Sequence, residues 1–597
     1  MYIRTICIIL TAVLLFASVP TRGQSDEKYK LAQSYEKSGD LRAAGRLYQE
    51  LYAANKSDRN FDGVVRALSG LGQFASLAPL VAERIAATAP DAKLYALYGV
   101  VLWRDGKTSD AEQAWKTGLS YAGTDAALIA AIATAQSGLR LFDKSIATYL
   151  LAREKSGNNM AYAEELAGLY GATGNYERGA DEILTVFDAR KNMAQAQGQL
   201  SALMAEPNAS VFIGKKLKNR ADKSDDYNDL KLYLWFLREN KDYNTAFAVA
   251  ERIDKTANMR GRELFDFAEG VKRDGAYEIA IKAYSRIIET GNKSPFFSQA
   301  LYGYARTLEI NLSQVKKLNS TAIEEILDRY NDIIKNFPNT PIAADCQYRR
   351  GMITWEYLHD APKANAEFNK TVTSYGMFAP AAAAAVMSGI ISIIEGDLDQ
   401  SAMIFNMTAK RYVAISPDDA DKARYYSGEL LYFTGKADSA KQIYNALAAA
   451  PNRNIANDAL ERISFLAQNE DSGDRLRNFA QAELLEMQKK YDDALQSFRA
   501  LQNGDDDIAE RSYMKAANIG FFSNNISEAQ LTIEKYLQKF PDAIYGDKAM
   551  FLLANIYDVG GAKDKSLNTL TELLARYPLS IYAQEVREKI RKLRGDA

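Results

Sequence analysis

LAQSYEKSGDLRAAGRLY, Leu31–Tyr48, decides the fold. A small residue, Ala32, is followed by Tyr35, a Gly turn at Gly39, a second small residue, Ala44, and a ring, Tyr48. The order returns as Ala268/Val271/Gly275/Ala280/Tyr284 and as Ala482/Leu485/Tyr491/Ala494/Phe498. In each copy the two small residues stand twelve positions apart, and the ring follows four later. Two antiparallel helices of about a dozen residues require this spacing. Small side chains let the backbones approach, and one turn on a ring fills the space beside the contact. Repetition at roughly 34 to 40 residues predicts an all-α chain, an α-solenoid of stacked antiparallel helix pairs wound as a right-handed superhelix.

The same unit extends along most of the 597 residues. Further second-helix pairs are Ala111/Trp115, Ser145/Tyr149, Gly179/Ile183, Ala246/Ala250, Ala364/Phe368, Ser401/Phe405, Ala440/Tyr444, Ala529/Ile533 and Ser566/Leu570. The turns repeat too, as in Glu395-Gly-Asp-Leu398 and Phe433-Thr-Gly-Lys436. A Gly there suits the left-handed residue that ends one helix, and a following Asp can cap the next. Two stretches lack anchors. Residues 204–229 read as an irregular connection between an N-terminal array, 24–203, and a C-terminal array, 230–597. Residues 311–323 read as a polar insertion.

Residues 1–23 are a different material. Arg4 precedes an apolar run from Thr5 to Val19, and small residues stand three and one positions before a cut after Gly23. This is the order of a secretory leader, too short for a comfortable membrane span. A retained anchor is the alternative. The leader carries Cys7, so the mature chain keeps only Cys346 and can form neither an internal disulfide nor a cysteine metal site. No Cys stands at the cut to carry a lipid. The expectation is an exported, periplasmic protein that is not a lipoprotein and has no transmembrane span after cleavage. Formal net charge is −2, so no overall field recruits nucleic acid.

Together the repeated positions resemble the tetratricopeptide repeat family, with small residues at positions eight and twenty, a ring at twenty-four and Pro at thirty-two. Pro541 and Pro578 fill the last. The junctions after Phe337, Phe540 and Tyr577 are similar to those of exported bacterial repeat proteins of the outer-membrane assembly and Tol–Pal coordinator type. That resemblance implies a concave groove lined by the first helices, holding a partner protein. The family's groove positions fall here on Tyr425, Glu429, Phe479, Glu483, Asn518, Phe551 and Asn555. The Lys–Asn pair of the family's carboxylate clamp is missing from the aligned units.

Little else in the chain promises chemistry. His359, the only histidine, stands where a turn should fall and reads as a solvated or capping residue, and His-rich metal sites cannot be built from it. Asp418-Asp419 and Asp505-Asp-Asp507 stand before helices, where carboxylates act as caps rather than as a calcium loop. Most of the 35 tyrosines fall on packing positions. The expectation is a scaffold without cofactor, metal or catalytic residues, binding envelope proteins. Alternatives are a peptidoglycan or glycan binder, with peripheral membrane or cell-wall association, and a helical accessory domain of an enzyme.

Overall fold

The computed structural model describes residues 22–89, 91–205, 208–313, 320–450 and 454–595. The leader expected over 1–23 lies, but for its last two residues, outside them. Among the described residues there are 32 α-helices and no strands, so the chain is an all-α helical solenoid. Consecutive helices pack as antiparallel pairs, and each pair touches mainly its neighbours in sequence. By its contacts the chain divides into two units, Met1–Met259 and Arg260–Ala597.

The first unit runs from the helix Arg22–Lys37 to the helix Tyr243–Thr256. Its second helices repeat with great regularity. Ala44, Ala78, Ala111, Ser145, Gly179, Ile213 and Ala246 are all buried and stand 33 or 34 residues apart. This corrects the irregular connection expected over 204–229. Most of that stretch is the helix Ala209–Lys223, on the same register as its neighbours, with Ile213, Leu217 and Ala221 buried. The signal was hidden because the usual small anchor is Ile213. The small residue sits one place on, at Gly214, against the ring of Phe236. The boundary between units accordingly falls at Met259/Arg260, not at 204–229.

The second unit, up to the helix Ala583–Arg594, keeps the packing rule but not the period. Anchor rings Tyr284, Tyr330, Phe368, Phe405, Tyr444 and Phe498 are fully buried. Turn glycines behave as their position demands: Gly396 has φ 90° and Gly435 φ 77°, and Asp397 caps the next helix by accepting from Gln400 N at 2.9 Å. The expected insertion at 311–323 is in part the end of the helix Phe297–Ser313; residues 314–319 lie outside those described.

One element breaks the alternation. From Ala440 to Ala494 the register jumps by 54 residues, and the extra length is the helix Ala456–Gln468. This interposed helix packs on Ala437–Ala448, while the next first helix, Asp474–Met487, packs directly on Pro417–Phe433. Leu484 and Met487 of Asp474–Met487 also lie against the cluster of Ile393, Phe405 and Leu430. The helix Asp474–Met487 thus covers part of these repeats with the chain's own apolar side chains.

Candidate functional site

The interposed helix turns an open groove into a pocket. Helical spacing puts Asp458, Glu461, Arg462 and Phe465 on one face of it. Opposite, the same spacing aligns Arg511, Lys515 and Asn518 along the helix Asp507–Phe522. Between these walls lies a cavity of about 290 Å³, lined also by Tyr425, Phe479, Glu483 and Tyr545.

Four of the residues expected from repeat positions meet there: Tyr425, Phe479, Glu483 and Asn518. Their roles differ from those of an exposed groove. Phe479 is 1% exposed and packs edge-on against Phe498, with ring centroids 5.5 Å apart. Glu429, 5% exposed, lies behind the cavity and serves Arg462. Phe551 and Asn555 are elsewhere. Phe551 stacks on Tyr582 at 5.2 Å, and Asn555 Oδ1 accepts from Lys589 Nζ at 2.6 Å.

A chain of buried charges holds the walls together. Arg462 donates through Nε and Nη2 to the Glu429 carboxylate at 2.9 and 2.6 Å, and through Nη1 to Glu483 at 2.9 Å. Its guanidinium also lies over the Tyr432 ring, 4.8 Å from the centroid. Lys515 Nζ reaches Glu486 at 2.7 Å and Glu483 at 3.2 Å. Arg511 pairs with Asp507 at 2.9 Å and sits over the rings of Phe465 and Tyr545, at 4.7 and 5.2 Å. Tyr444, an anchor ring, donates its hydroxyl to Glu429 at 2.5 Å. Burial and then Glu429 push that phenol far above its usual range. Buried pairs of this kind contribute little net stability, but they are strict about geometry because every unmatched charge is costly.

The electrostatics give a testable pH dependence. Burial opposes ionisation of Glu483, but Arg462 and Lys515 outweigh it and hold the carboxyl down to about 2, against an ordinary 4.5. A lowered folded pKa favours the folded state above the ordinary value, and the contribution disappears as pH falls from about 4.5 towards 2. At about 1.4 kcal/mol per pH unit it is on the order of 3 kcal/mol. Denaturant unfolding at falling pH should show this loss in the natural chain and not in Glu483→Gln. Parallel losses in both would remove Glu483 as the cause.

Sequence spacing could not place Asp458, Glu461, Arg462 and Phe465, because they belong to a helix outside the repeat. The 54-residue step between Ala440 and Ala494 was the available sign. Arg511, Lys515 and Tyr545 were also missed, being charged or junction residues with no distinctive local pattern. Among the described residues, no three His, Cys, Asp or Glu side chains are grouped to hold a metal ion. No helix among them is long and apolar enough to cross a membrane.

Paired helices stacked in sequence define an all-α helical-repeat protein. Residues 548–580, which take in most of the helix pair Gly546–Val559 and Lys563–Arg576, match the tetratricopeptide repeat family. No curated protein matches the sequence. Among solved structures, the chain is similar to one in "Structure of Naa15/Naa10 bound to HypK-THB", at 13% identity over 95% of this chain and 96% of that one, with a TM-score of 0.29. A tetratricopeptide repeat protein from Parabacteroides merdae aligns at 14% identity over 56% and 98%, with a TM-score of 0.24. Yeast Tom70 aligns at 12% identity over 96% of both chains, with a TM-score of 0.25. These superpositions are too loose to carry a partner or a role to this chain.

Proposed function

We propose that this chain is a non-catalytic scaffold that holds partner proteins on the inner face of its second unit. One observation carries the reading: Tyr425, Phe479, Glu483 and Asn518, four positions where repeats of this type meet their partners, converge on a single cavity. Rings and satisfied buried charges around a concave space are what an anchoring side chain needs. The apolar run from Thr5 to Val19 supports a further part of the proposal, export to a bacterial periplasm and work on envelope proteins.

Photo-crosslinking in cells tests both parts. Crosslinkers at Tyr425 and Asn518 are expected to trap discrete protein adducts. A crosslinker at Leu531, exposed on the second helix Ile526–Lys539, should trap none. Adducts from Leu531 alone would overturn the inner-face reading. The chain recovered from cells is expected in the periplasmic fraction, beginning at Gln24; a cytosolic chain beginning at Met1 would overturn export.

A further inference from the structure

One second helix of the second unit carries an apolar face that its neighbours lack. On Leu398–Arg411, Met403 and Met407 stand two residues before and two after the buried ring Phe405, and they are 50% and 60% exposed. The same positions beside Phe368 and Tyr444, in the second helices before and after, hold Ala366 and Lys370, and Gln442 and Ala446. The face continues past the helix end. Val413 and Ile415 are exposed there, and Arg411 donates to Gly376 O at 3.4 Å, which brings in the loop bearing Met377, 74% exposed. Single exposed apolar side chains are ordinary on a surface, but a group of five marks a contact face.

The charges beside the methionines say what covers them. Asp399, Met403, Asn406, Met407 and Lys410 fall in one stripe along the helix, and all five are exposed. Asp399 in the first turn and Lys410 in the last have no ion pair among the described residues. A second copy of the helix running antiparallel presents the complement of this stripe. Its Lys410 stands opposite Asp399, and its Met407 opposite Met403. Both pairings are centred on Phe405 to within one residue, so a single two-fold axis satisfies them together. We infer that this face joins two copies of the chain in an antiparallel dimer. Methionine, unbranched and polarisable, packs without demanding a fixed partner shape. The exposed charge pairs set direction and register more than strength. None of these residues lines the cavity beside the interposed helix, so the dimer leaves that cavity free and stands apart from the scaffold proposal.

Sedimentation velocity of the purified chain at low salt, from about 1 to about 100 µM, tests this. The natural chain is expected to pass from monomer to dimer across that range. Asp399→Lys and Lys410→Asp each set like charges opposite one another at both ends of the contact, and each should weaken association about tenfold or more. Mixed in equal amounts, the two variants should associate as the natural chain does, because every charge then meets its opposite. Met403→Gln/Met407→Gln should stay monomeric throughout. The unfolding midpoints of all variants should match that of the natural chain, since the replaced residues are exposed. A natural chain that remains monomeric leaves the face to another protein and overturns the dimer. A dimer indifferent to either charge reversal, or variants that fail to recover on mixing, overturns the antiparallel pairing.

Discussion

Replacing Arg462 with methionine should free the interposed helix Ala456–Gln468 from the inner face, at a cost of about 3–5 kcal/mol. The guanidinium is the only described group joining Glu429 of Pro417–Phe433 to Glu483 of Asp474–Met487, through three hydrogen bonds of 2.6 to 2.9 Å. Methionine matches much of its volume and leaves two buried carboxylates facing each other. Lys515 still neutralises part of Glu483, at 3.2 Å, but Glu429 keeps only the Tyr444 hydroxyl. Amide hydrogen exchange should accelerate over 456–468 and 474–487, and stay unchanged in the first unit. Adding Glu429→Gln and Glu483→Gln to the Arg462→Met chain should restore most of the protection, because uncharged amides remove the repulsion. Unchanged exchange in the single variant would show that the buried charges do not hold the helix.

The second large effect lies in the repeat itself. Phe405 is fully buried on Gly389, so that a Cβ built at Gly389 would lie 2.4 Å from Phe405 Cε1. Phe405→Ala should cost about 3–5 kcal/mol through lost burial and the hole left behind. Gly389→Val should cost about 1–3 kcal/mol through overpacking, since the ring has nowhere to go. Together the two changes should cost less than their sum, by about 0.5–3 kcal/mol, because the valine occupies space the ring has vacated. Denaturant unfolding of the four chains measures this coupling. Strict additivity would mean that ring and glycine are not one packing unit. The same contact recurs at Gly351/Phe368, Gly428/Tyr444 and Gly99/Trp115, where the built Cβ lies 2.1 to 2.7 Å from the ring. The outcome therefore bears on the whole chain.

Most of this packing was legible in the sequence. The spacing of small residue, turn glycine, small residue and ring placed Tyr48, Tyr149, Tyr284 and Tyr444 in the interior, and all four are buried there. It stumbled at Ala209–Lys223, where Ile213 takes the small residue's place and Gly214 makes the close approach one step later. Of the seven groove positions, four line the cavity, Glu429 lies behind it, and Phe551 and Asn555 belong to the following repeat. The family positions did not show which of these residues the chain would cover itself: Glu429, Phe479 and Glu483 are buried.

The physical division is one of range. A ring and the glycine beneath it in the same helix pair are 16 or 17 residues apart, as in Gly389/Phe405 and Gly351/Phe368. A contact that close in sequence leaves a periodic trace, so the all-α solenoid and its core could be read from the residues alone. The pocket depends on Arg462 reaching Glu429 and Glu483, 33 residues back and 21 residues on. The 21-residue step to Glu483 matches no repeat, because the interposed helix belongs to none. Only the tertiary structure could decide that this helix folds over the inner face, leaving Asp458 and Glu461 as the acids at the pocket's edge.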